Sequence, residues 1–242
     1  GNFIGVEVDG TTAFANGIGM LVNGSNNKIG GVNPADANII ALNAGAGIEV
    51  VNIGSVGNII LRNSFTGNGG IGIDLASGNT GDNVTENDAN DIDDGANNLL
   101  NFPDLKGIAI ISGEVYYDFI LDVPAGDYRI ELFSNTTADA SGHGEGKTFI
   151  GVLNINHTGN GEEQFFGNMT PEVAVAIGDY ITLTATQCTD GTCTDFYQTS
   201  EFNGHYVGER CLDITDAGSI AGDEEGCSNF DPSIITSVVD GS

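Results

Sequence analysis

Tryptophan is absent from this 242-residue chain, and basic residues nearly so: Lys and Arg total 6 against 34 Asp and Glu, a formal net charge of −28. An interior cannot take up that much charge, so the surface is strongly acidic. The missing cations exclude nucleic acid and anionic membrane surfaces as partners, because phosphates are held by clustered Lys and Arg. No apolar run approaches the roughly 18 residues of a membrane span. No leader opens the chain either, since Gly1-Asn2-Phe3-Ile4-Gly5 already reads as part of a repeat. Further repeats and any export signal are therefore expected outside this sequence. Nucleophile motifs are also lacking: there is no Gly-x-Ser-x-Gly elbow, and the three histidines do not fall in a His–Asp–Ser order. His157 and His205 are expected at the surface. His143, in Asp139-Ala-Ser-Gly-His143-Gly-Glu145, reads as part of a loop between strands.

Glycine is plentiful, at 37 residues, and with asparagine it marks a degenerate repeat over residues 1–75. Asn-x-Ile recurs at Asn2, Asn27, Asn38 and Asn58, and Gly-apolar-x-apolar at Gly19, Gly47 and Gly70. Short apolar segments at 18–22, 27–30, 37–42, 47–52, 57–62 and 70–75 have strand spacing and no helical period. A unit of one strand and one turn cannot bury its apolar face alone, so repetition predicts a solenoid. The expected form is a parallel β-helix of about three coils, with Ile and Val inside, Gly at the corners and Asn stacked in amide ladders.

Residues 76–106 change character. From Asp74 to Asp94 there are seven acids and no Lys or Arg: Asp74, Asp82, Glu86, Asp88, Asp91, Asp93 and Asp94. Divalent cations are the natural counter-charge, and Ca²⁺ takes about six to eight oxygen ligands. A Ca²⁺ site is therefore predicted from Asp82, Asp88, Asn90, Asp91, Asp93 and Asp94, with Asp74 at its margin. The spacing is not that of an EF-hand, because Gly95 is not followed by the required Glu. The competing reading is a flexible, solvated acidic linker. Downstream, Asn98-Leu99-Leu100-Asn101-Phe102-Pro103-Asp104-Leu105 is suited to plug the apolar end of the repeat.

Residues 107–203 alternate between polar and apolar, which predicts strands near 107–121, 127–134, 148–156, 162–167, 179–187 and 194–203. Strands at this spacing suit an Ig-like antiparallel β-sandwich. Cys188 and Cys193 flank Asp190-Gly191, a two-residue hairpin turn that would set the cysteines as a closely spaced cross-strand pair able to form a disulfide. Cys211 and Cys227 can close a second loop. Zinc is the rival reading and lacks a nearby His pair. Two disulfides imply an oxidising compartment, so a secreted or cell-surface location is expected. Residues 204–242 read as a partial C-terminal β segment, again acidic.

Several stretches resemble modules of large bacterial surface proteins. Gly1-Asn2-Phe3-Ile4-Gly5, Ala37-Asn38-Ile39-Ile40 and Gly70-Ile71-Gly72-Ile73-Asp74-Leu75 resemble their right-handed parallel β-helix repeats, and Asn97-Asn98-Leu99-Leu100-Asn101-Phe102-Pro103 the linker that follows them. Tyr128 to Asn135, Gly142 to Gly151 and Thr199-Ser200-Glu201-Phe202 are similar to the sandwich module that comes next. Cys211 to Ser242 is similar to repeat modules of giant adhesins secreted by Bacteroidota. The resemblance implies a non-catalytic structural or adhesive segment. Its expected partners are matrix or cell-surface glycans and proteins, or copies of itself in a filament.

The rival is a glycan-active enzyme or carbohydrate-binding module, because parallel β-helices also cleave acidic polysaccharides. A lyase needs a base near its carboxylates, and the repeat offers only Lys28 and Arg62, well apart. A hydrolase needs paired carboxylates, for which Glu49 and Asp74 are the strand-borne candidates.

Overall fold

Each apolar tripeptide of the repeat becomes a strand of two or three residues, as a chain turning every few residues dictates. The computed structural model describes residues 1–81 and 83–208, and these are all-β, with no α-helix among them. The first eight strands are β1 (Phe3–Ile4), β2 (Met20–Val22), β3 (Lys28–Gly30), β4 (Ile39–Ala41), β5 (Ile48–Val50), β6 (Ile59–Leu61), β7 (Ser64–Thr66) and β8 (Ile73–Leu75). They pair in parallel as three small sheets, β1-β4-β7, β2-β5-β8 and β3-β6. Register stacks like on like: Ile4 against Ile40 and Ile40 against Phe65, Ile48 against Ile73, Ile29 against Ile60. These side chains form one core with Val50 and Leu75. Strand β7 was not expected from sequence, because Ser64 and Thr66 hide a segment whose only apolar residue is Phe65.

The asparagines form three ladders. Asn2 N–H and Nδ2 both donate to Asn38 Oδ1, and Asn38 repeats this on Asn63 Oδ1 at 3.1 and 2.8 Å. Asn16, Asn43 and Asn68 stack in the same way. Asn27 stacks on Asn58, whose N–H then donates to Asn97 Oδ1 at 2.9 Å. Each buried amide thus satisfies a backbone donor that a tight corner leaves unpaired. The residues before Asn43, Asn63 and Asn68 are left-handed: Leu42 (φ 55), Arg62 (φ 56) and Gly67 (φ 67). Glycine is required at Gly5 and Gly30, where a Cβ would lie 2.0 Å from the carbonyl oxygens of Ala41 and Leu61.

After Leu75 the chain crosses the acidic segment and a 3-10 turn at Ala96–Leu99, whose Ala96 and Leu99 pack into the first core, while Leu100 and Leu105 of the expected plug enter the second. Antiparallel strands follow: β9 (Asp104–Ile111), β10 (Glu114–Leu121), β11 (Gly126–Asn135), β12 (Thr148–His157), β13 (Glu163–Met169), β14 (Tyr180–Cys188), β15 (Phe196–Thr199) and β16 (Tyr206–Val207). One sheet runs β13-β10-β9; the other runs β12-β11-β14-β15, with β16 also on β14. The single strand expected over 107–121 is folded in two at Ser112 and Gly113, both left-handed. Phe119 and Leu121 from one sheet and Tyr128, Ile130, Ile150 and Leu183 from the other share a second core.

The Cys188–Cys193 disulfide is present, with Cα atoms 5.0 Å apart. It does not close a two-residue hairpin: Cys188 pairs in register with Phe196, and Thr189 N–H donates to Asp195 O. The loop is wider because Asp190 turns its carboxylate inward to accept from the Thr194 and Asp195 N–H groups. His157 is buried, not at the surface. Its Nε2 lies 2.9 Å from Leu121 O and its Nδ1 accepts from Gly159 N–H, so the ring ties β12 to the end of β10. Cys211 and Cys227, like the rest of 209–242, lie outside the described residues. No helix among the described residues is long and apolar enough to cross a membrane.

Asn43 accepts two hydrogen bonds and donates two to Asn68 at a buried position, so Asn43→Ala leaves several amide groups without partners. A loss of about 2 kcal/mol or more is expected in denaturant unfolding, against less than about 0.5 for a similar change at exposed Asn160.

Candidate functional site

The last strands of the three parallel sheets present N–H groups that no further parallel strand covers among the described residues, and the antiparallel unit supplies the acceptors. Three buried glutamates do most of this. Glu131 of β11 accepts from Arg62 N–H at 2.7 Å. Glu145, in the loop before β12, accepts from Gly67 N–H and, at 2.9 and 2.7 Å, from Asn68 N–H and Nδ2, ending the second ladder on a carboxylate. Glu201, just after β15, accepts from Leu75 N–H at 2.7 Å and Thr85 N–H at 2.9 Å. Thr199 Oγ1 takes Ile60 N–H and Gly146 O takes Phe65 N–H, both at 2.9 Å. Phe133 and Phe202 reach into the first core, where the Phe65–Phe202 and Phe133–Phe202 rings meet edge to face at 5.5 and 5.4 Å.

Burial alone would expel such carboxylates; charge-assisted bonds from two or three N–H donors hold them. Burial raises the Glu131 carboxyl, opposed by the Arg129 guanidinium and by Arg62 N–H. It raises Glu145 too, opposed by the Asn68 donors and Gly67 N–H.

Beside this junction the acidic segment folds into an ordered loop. Asn101 organises it: its N–H donates to Asp91 Oδ1 at 2.7 Å, its Oδ1 accepts from Asp88 N–H, and its Nδ2 bridges Asp88 O and Asp122 O. The result gathers Asp88, Asp91 and Asp93, each with a carboxylate oxygen within 4.8 Å of the others. Asp93 Oδ1 is buried and has no hydrogen-bond partner among the described residues. Burial pushes the Asp91 carboxyl up to about 7; Asn101 N–H pulls it down, while Asp93, Asp88 and Asp122 add to the rise. Asp93 is raised as well, by burial first and then by Asp88. Three close carboxylates with unspent oxygen lone pairs are a donor set that fits a hard divalent cation.

The remaining expected ligands are elsewhere. Asn90 and Asp94 are exposed, and Asn90 uses its N–H on Asp122 Oδ2 at 3.0 Å. Asp74 is buried on β8, in register with Glu49 of β5, and accepts from Asn83 N–H. Asp82 lies outside the described residues. Asp122 was missed because it lies in the β10–β11 connection, some thirty residues from the loop it faces. Glu131, Glu145 and Glu201 were missed as well. Each sits among alternating strand or loop residues like any surface acid, although an acid flanked by apolar neighbours, as in Arg129-Ile130-Glu131-Leu132-Phe133, is a signal that could have been read. No protein-family model matches the chain, and comparison with curated proteins finds no match either.

Because the folded Asp91 takes up its proton at about 7 and the unfolded one near 3.8, the folded state binds more protons between those values. Without divalent cations, stability therefore falls as pH rises through that window. Melting scans in chelator should show this decline, and Asp91→Asn should flatten it. Some slope should remain, because Glu131 and Glu145 shift in the same direction.

Proposed function

We propose that this chain is a non-catalytic structural segment of a large extracellular protein, in which a short right-handed parallel β-helix is sealed by an Ig-like β-sandwich and stabilised by Ca²⁺ beside the seam. The observation that carries the reading is the closure of the last parallel strands by Glu131, Glu145 and Glu201. A seam of buried carboxylates on backbone donors, with aromatic rings crossing it, makes the two units one stiff body, as a spacer or presenting surface requires.

Other features support the parts. Parallel register repeats at offsets of 36 and 25 residues along β1, β4 and β7, which is the spacing of solenoid coils. The sheets β9-β10-β13 and β12-β11-β14-β15 share one core, and the fifth strand of the set returns to pair with the second, a connectivity that suits an Ig-like sandwich. The Cys188–Cys193 disulfide fits an oxidising location. Against a glycan-cleaving role, Glu49 and Asp74 are both buried, and Gly81 N–H and Asn83 N–H fold over them. A substrate sugar has no open carboxylate pair to enter there.

Ca²⁺ would be held by Asp88, Asp91 and Asp93, neutralising a cluster that otherwise destabilises the loop. Adding Ca²⁺ near neutral pH should raise the melting temperature and slow proteolysis around residue 90, by about 2.7 kcal/mol of stability at a hundredfold excess over Kd. Chelator should reverse the effect, and Asp93→Asn should abolish it. An unchanged melting temperature and cleavage pattern would exclude the ion.

Incubation with a panel of acidic polysaccharides should yield neither unsaturated products nor new reducing ends. Either would overturn the structural reading.

A further inference from the structure

A cleft of about 590 Å³ opens between the acidic loop, β9, β10 and the turns at His143 and His205. That volume is within the usual range for a small-molecule site. We infer that this cleft binds small hydroxylated amines of the amino-sugar class, with the amino group free. The inference does not depend on Ca²⁺ occupying the neighbouring cluster.

Polar groups left without partners define the ligand. Asp122 Oδ2 accepts from Asn90 N–H, but the buried Oδ1 has no donor among the described residues. Glu86, Asp88, Asp104 and Glu162 line the same cleft, Asp104 being paired with Lys106, and among the described residues no Lys or Arg lines it. An anion is excluded and a cationic donor is favoured. Asn203 supplies the opposite need. It is 1% exposed, its Oδ1 is taken by Leu183 N–H at 2.6 Å, and its Nδ2 has no partner among the described residues. A buried N–H without an acceptor is costly, so the ligand must also bring an oxygen.

Nδ1 of His143 and of His205 are likewise buried and without a partner among the described residues, the first ring edge-on to Phe102 at 5.5 Å and the second to Tyr180 at 5.0 Å. In either tautomer an imidazole nitrogen is matched by a hydroxyl, which both donates and accepts. Phe102, Leu105 and Ile120 provide an apolar wall for the carbon skeleton. An ammonium for Asp122, hydroxyls for Asn203 and the histidines, and an apolar face together describe an amino sugar. A simple polyamine lacks the oxygens, and a neutral sugar lacks the charge.

The test is calorimetric titration of the full chain, in chelator at about pH 5.5 where such amines are protonated. The probes are a β-linked glucosamine trimer, its fully N-acetylated counterpart and spermidine. The free-amine trimer should bind at least about tenfold more tightly than either control. Asp122→Asn should weaken it by about tenfold. Glu162→Gln, at an exposed position that leaves the fold intact, should weaken it by about threefold. On binding, NMR signals of the Asn203 side-chain amide and of the His143 and His205 rings should shift. Equal binding of the acetylated trimer would overturn the ammonium assignment. Equal binding of spermidine would reduce the effect to attraction by an acidic surface and overturn the inference. Failure to saturate, or shifts confined to other residues, would overturn it outright.

Discussion

The unpaired backbone edge at the end of the parallel strands is the constraint that organises the rest of this molecule. Ile60, Arg62, Phe65, Gly67 and Leu75 all point N–H groups away from the parallel strands before them. Left open, such an edge invites pairing with another chain; left buried and unpaired, it destabilises the fold. The antiparallel unit meets the need with acceptors of three kinds: a threonine hydroxyl, a backbone carbonyl and glutamate carboxylates. The apolar side of the same constraint is met by Phe133 and Phe202, which extend the first core into the second unit.

That solution also fits the charge of the chain. With 6 basic residues for 34 acids, few buried carboxylates can be neutralised by ion pairs. Glu131 has Arg129 beside it at 2.9 Å, whereas Glu145 and Glu201 rely on N–H groups. An N–H donor holds a carboxylate without bringing a long charged side chain into the interior, and strand ends supply many of them. The acidic loop is the place where this arrangement is least complete. Asp91 has one strong donor and three acidic neighbours, so its carboxyl stays partly protonated near neutrality. Asp93 and Asp122 each keep an oxygen with no donor among the described residues. Junction and loop are thus two outcomes of one shortage, the first resolved within the fold and the second left with carboxylate oxygens that few donors reach.

Much of the fold was legible because its causes are local. Asn2, Asn38 and Asn58 mark strand starts, since an amide beside a tight corner is useful at every repeat, and Gly5 and Gly30 mark places where no side chain fits. Less legible were β7, whose Ser64 and Thr66 look like a turn, and the loop closed by Cys188 and Cys193, which Asp190 widens with bonds that spacing does not reveal. His157 read as a surface residue at a strand end; its burial depends on Leu121, 36 residues earlier.

By itself the sequence determined the all-β character of the described residues, the acidic surface, the strand repeat with its asparagines, the disulfide pair at Cys188 and Cys193, and the acid-rich run from Asp82 to Asp94, out of which the fold gathers Asp88, Asp91 and Asp93. These follow from neighbours within a few residues, where period, turn chemistry and charge act directly. Only the tertiary structure decided which acids are structural and which face a cleft. Glu131, Glu145 and Glu201 find their donors 69, 77 and 126 residues away, and Asp122 meets Asn90 across 32. A carboxylate's role is set by the donors and burial around it, and for these residues the packing of one unit on the other supplies both.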